Sequence, residues 1–137
     1  IPWGSTLEEF KAHLRTFRSV FPHMSIVMGP GGYGMYVMGS DQPLAYDGAV
    51  MREVLGRPGI LEDISTAYDS PVTTADAWIA RINELRWIDD GEIDRFVGPG
   101  PLVTDDRPLP EYFLLRRIMN PNEAQVGPAE LRALAGG

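Results

Sequence analysis

The chain of 137 residues contains no cysteine. Disulfide staples, thiol nucleophiles and thiolate metal sites are thereby excluded, and a reducing compartment is compatible with the composition. Long apolar runs are missing as well: no stretch approaches the roughly 20 residues that span a bilayer. Isoleucine at position 1 is followed at once by proline, tryptophan and soon by acids, which is not a signal-peptide pattern. Basic residues are scarce. Twelve Lys and Arg stand against nineteen Asp and Glu, a formal charge of −7. That balance argues against a nucleic-acid partner, which needs clustered cations, and suits a cationic ligand. An initiator methionine is lacking too, so the expectation is a piece of something longer, although processing or excision would look the same. No internal repeat or low-complexity linker interrupts the chain. What is present is ordinary: 44% hydrophobic and 23% charged residues, enough for one domain with a core.

The stretch "GSTLEEFKAHLRTFRSVFP" reads as a helix. Ser5 and Thr6 stand three residues before Glu8 and Glu9, giving two overlapping capping-box registers. Leu7, Phe10, Leu14, Phe17 and Phe21 recur at three- and four-residue steps and form one apolar face. Lys11, Arg15 and Arg18 fall together on the other side, read as a solvated stripe, and Pro22 stops the helix. "MSIVM" and "YGMYVMGS", separated by "GPGG", predict a β-hairpin whose turn is supplied by Gly31 or Gly32, with both faces covered. Asp47 caps "GAVMREVL", which ends at Gly56, and "PGILEDISTAY" is a weaker helix. "TTADAWIARINELRWI" is a longer one, capped by Thr73 or Thr74 and striped by Trp78, Ile82 and Leu85. "DGEIDRFVG" adds one or two turns, and "GPAELRALAGG" predicts a last helix with Pro128 at its start and Gly136 at its end. One helix, one hairpin and a helical tail is a lopsided inventory. A lone hairpin is marginal in water, so the hairpin is expected to extend a sheet whose other strands lie elsewhere.

Several patterns invite a chemical reading and resist it. Gly29-Pro30-Gly31-Gly32-Tyr33-Gly34 fits G-x-G-x-x-G literally, but a dinucleotide loop opens a helix, whereas here a second strand follows and Pro30 has no amide to donate. His13 and His23 are ten residues apart and lack metal-ligand spacing. Asp89, Asp90, Glu92 and Asp94 do not follow the alternation of a calcium loop, so a solvated acidic helix start is the favoured account. No serine occupies a G-x-S-x-G elbow. There remains "PLVTDDRPLPEYFLLRR" over 101–117. Adjacent residues of an extended segment point to opposite sides, so Asp105 and Asp106 do not converge on one atom without a special turn. The favoured reading is a charge-paired segment that anchors the tail, with Arg107 and Glu111 as partners and Leu109, Tyr112, Phe113 and Leu114 packed inward. Direct chemistry by the acid pair is the alternative.

In chain order, these stretches resemble the spermidine synthase family, in particular its bacterial branch often fused to membrane-spanning segments. "IPWGSTLEEFKAHLRTFRSVFPHMSIV" is similar to the family's last parallel strand exit, the following helix and the phenylalanine-proline-histidine start of the next strand. "GMYVMGSDQPLAYD" resembles the second hairpin strand and its continuation. "GPGPLVTDDRPLPEY" resembles the closing T-D-D-R-P-x-x-E-[YF] signature, carried here by Thr104, Asp105, Asp106, Arg107 and Glu111 as a structural motif. "TTADAWIARINEL" falls where the family has variable helices. The likeness spans residues 1–117 as the C-terminal portion of a synthase-like domain, with 118–137 as a helical tail.

The resemblance implies an α/β, methyltransferase-like (Rossmann-type) fold, of which this chain supplies one helix, an antiparallel hairpin and a helical extension. It implies a parent that transfers an aminopropyl group from decarboxylated S-adenosylmethionine to an amine such as putrescine. The nucleotide loop and catalytic aspartate then belong to the N-terminal remainder of the same protein, leaving no catalytic residue and no bound cofactor in this chain alone. The hairpin turn would border the amine pocket. Pro30 matches the family there, Gly29 replaces its tyrosine, and Tyr33 is the candidate to face the same space. Trp3 is expected either as a cleft wall or packed on the first helix. Departures at the turn keep two alternatives open: an S-adenosylmethionine-dependent methyltransferase on the same scaffold, or a non-catalytic assembly domain forming a homo-oligomer through the hairpin edge. A cytoplasmic location is implied, on the cytosolic side if the parent is membrane-anchored.

Overall fold

Residues 6–29, 35–67, 70–106 and 112–122 are described by the computed structural model. Their elements run α1 (Leu7–Val20), β1 (His23–Met28), β2 (Met35–Ser40), α2 (Gly48–Leu55), α3 (Ile60–Ala67), α4 (Ala75–Leu85), β3 (Arg86–Ile88), α5 (Asp90–Val97) and α6 (Phe113–Met119). The architecture is mixed α/β. The hairpin turn, Leu109 and the expected helix over 127–137 lie outside the described residues.

Of the two capping registers, Thr6 with Glu9 is realised. The Glu9 amide donates to Thr6 Oγ1, and the Thr6 amide donates back to Glu9 Oε2 at 2.8 Å. The apolar face follows the sequence: Phe10 and Leu14 are buried, with Leu7 and Phe17 packed beside them. Phe21 ends the helix in extended backbone, as a residue preceding proline favours.

β1 and β2 pair antiparallel over all six residues, from His23 opposite Ser40 to Met28 opposite Met35. Met24, Ile26 and Met28 therefore share a face with Gly39, Val37 and Met35. That face meets α1 and α5 in a core of Phe10, Leu14, Met24, Ile26, Ile88, Ile93 and Val97. Gly39 is required by this packing: a Cβ there would come within 2.5 Å of both the Phe17 and the Phe21 rings. On the opposite face Ser25 is buried, bonded at 2.9 Å to the Tyr46 hydroxyl and donating to the Ile88 carbonyl. Tyr36 stays 55% exposed, so the expected cover on both faces of the hairpin is incomplete at β2.

Two further expectations are corrected. The helix begun at Ala75 was expected to run through Ile88, yet it ends at Leu85, and Arg86–Ile88 forms a third strand. β3 pairs antiparallel with β1, Ile26 opposite Ile88 and Val27 opposite Arg86, so the sheet order is β2-β1-β3. A strand edge with unpaired backbone groups offers the chain more than three extra helical residues would. The basic stripe on α1 is not solvated either. Arg15 is buried, and the Arg18 side chain is largely covered. Arg15 is covered by the 97–101 segment, more than 80 residues away in sequence, and Arg18 is paired with Asp90 and Asp94 of α5.

Candidate functional site

Among residues with expected roles, Trp3, Pro30, Tyr33, Arg107 and Glu111 lie outside the described part. Thr104, Asp105 and Asp106 are described and exposed. Neither aspartate forms a hydrogen bond or ion pair with another described residue. Tyr112, expected to pack inward, is 53% exposed. The segment is nonetheless anchored, by other residues. Arg15 donates to the carbonyls of Val97 (3.3 Å), Pro99 (3.5 Å) and Pro101 (3.2 Å). Its Nη2 also meets Glu8 at 3.4 Å. The Val103 amide donates to Thr16 Oγ1 at 2.7 Å. Beyond the acids, Arg116 is ion-paired with the nearly buried Glu9. α1 thus holds the C-terminal limb on both sides of Asp105 and Asp106.

The densest polar constellation lies elsewhere, where the end of α1, the start of β1 and the start of α5 converge. Asp90 Oδ1 accepts from the Met24 amide and from Arg18 Nη1, both at 2.9 Å. Its Oδ2 lies 2.7 Å from His23 Nδ1. The His23 bond first, then the Met24 amide, with Arg18 adding less, holds the Asp90 carboxyl below the usual carboxylate range. An ionised carboxylate only accepts, so the imidazole donates through Nδ1. Arg18 completes the group with a bidentate pair to Asp94, at 3.0 and 3.1 Å, which raises the guanidinium pKa further.

Asp90 was expected in a solvated helix start. Instead it joins three elements, and no signal in the local acidic run marks it apart from its neighbours. With three donors directed at its two oxygens, the carboxylate is suited to holding charge in place rather than to moving a proton. His23 lines neither of two shallow depressions, one around Leu61–Thr73 and one around Met119–Asn122. The first, about 390 Å³, is lined by Leu61, Glu62, Ser65, Thr66 and Thr73. Beneath it the Trp78 indole donates to the Val72 carbonyl and to Ser65 Oγ. Among the described residues no three His, Asp or Glu side chains converge as metal ligands would. The glycine-rich run at Gly29 leads into β2, a strand, so it does not present a helix N-terminus to a nucleotide. His13 sits half-buried on α1, its Nε2 shut from solvent and without a partner among the described residues, and burial lowers its pKa.

No known protein family, curated protein or solved structure matches this chain.

Proposed function

We propose that the chain is the C-terminal part of a spermidine synthase-like transferase, a Rossmann-type domain completed by N-terminal polypeptide. The parent reaction is aminopropyl transfer from decarboxylated S-adenosylmethionine to an amine such as putrescine. The observation that carries this reading is the outer edge of β2. Met35–Ser40 is bonded along its whole length to β1, and among the described residues nothing pairs with its other side. A six-residue strand left open at one edge is a docking rail for a further strand. The element order supports the same reading. Helix, strand and antiparallel return strand follow one another as the resemblance requires, and β3 closes the opposite edge of β1, where no further strand is called for.

In such a transfer the amine nitrogen forms a bond to the propyl carbon as the carbon–sulfur bond breaks. The leaving sulfur becomes a neutral thioether, and the amine gives up its proton. Carboxylates of the N-terminal part would accept it, since Asp90 is held ionised by its own donors and lies in a clasp. The role of this chain is to complete the sheet and wall one side of the amine pocket with the hairpin turn. The full-length parent, supplied with decarboxylated S-adenosylmethionine and putrescine, is expected to yield spermidine, whereas the isolated chain yields none. Methyl transfer from ordinary S-adenosylmethionine with no aminopropyl product would replace this reading by the methyltransferase one.

A further inference from the structure

We draw no further inference here: the strongest candidate, the exposed apolar face of α6 formed by Tyr112, Leu115, Ile118 and Met119, carries none because nothing among the described residues shows what covers it.

Discussion

Truncating Arg15 would leave three main-chain carbonyls without their donor. The Val97, Pro99 and Pro101 oxygens all accept from this one guanidinium, and the side chain is only 6% exposed. Arg15→Met keeps much of the apolar stem, so its cost reports the lost bonds: about 2–4 kcal/mol in urea denaturation. Arg15→Lys should recover only part, because a single ammonium does not reproduce the planar fork. A loss below about 0.5 kcal/mol for the Met variant would show that the carbonyls find other donors. Protonation of two other side chains works against the folded state in acid. His13 has a folded pKa below 6.5, so as pH falls through 6.5 the unfolded chain takes up a proton that the folded one refuses. Stability therefore drops on that side, and His13→Phe should flatten the slope. Asp90, depressed below 3.8, contributes stability that is complete above 3.8 and disappears as pH falls through its lower folded value. Melting temperature against pH, for wild type and Asp90→Asn, should differ most above 3.8 and converge in stronger acid.

At the scale of elements, periodicity and capping residues were informative wherever a segment's partners lie close in sequence. The Asp47 cap at Gly48 is a local bond placed by residue identity, and the Thr6–Glu9 box and the Thr74 cap were each one of two adjacent candidates. The hairpin was legible for the same reason. Contacts made across the whole chain were not. Arg15 and Arg18 look like any solvated stripe until the carbonyls of 97–103 and the carboxylates of α5 arrive. Ile88 continues the spacing of α4 until the free edge of β1 draws it into a strand. Of the candidate site, the acidic pair was visible, but the bonds that anchor the segment around it were not, because they come from α1 rather than from neighbouring residues. Gly39 belongs with this second group. Within "MYVMGS" it looks like a strand terminator, yet it gives the end of α1 room to lie on β2. Gly39→Ala should cost about 1–3 kcal/mol through overpacking against the two phenylalanine rings, whereas Gly48→Ala, with open space around it, should be near neutral or stabilising. Equal effects in thermal unfolding would contradict that contrast.

For the molecule as a whole, α1 is the shared support. One side of it packs on the sheet through Phe10 and Leu14, and another carries the C-terminal limb through Glu9, Arg15 and Thr16. The sheet is therefore buttressed at β1, its middle strand, and closed by β3 on one side, while β2 keeps an open edge among the described residues. Hydrogen exchange separates the possible meanings of that edge. In the isolated chain, β1 amides bonded to either neighbour should be among the slowest to exchange, because opening them disrupts the Met24–Ile26 core. The β2 amides that face away from β1 should exchange at rates close to those of a loop. When the N-terminal polypeptide of the proposed parent is supplied, those outward β2 amides, and not only the ones facing β1, should gain protection of about a hundredfold or more. Protection already present in the isolated chain, independent of its concentration, would mean that its own polypeptide pairs with β2, and the need for a strand from elsewhere would disappear. Protection that grows with concentration would instead assign the edge to self-association.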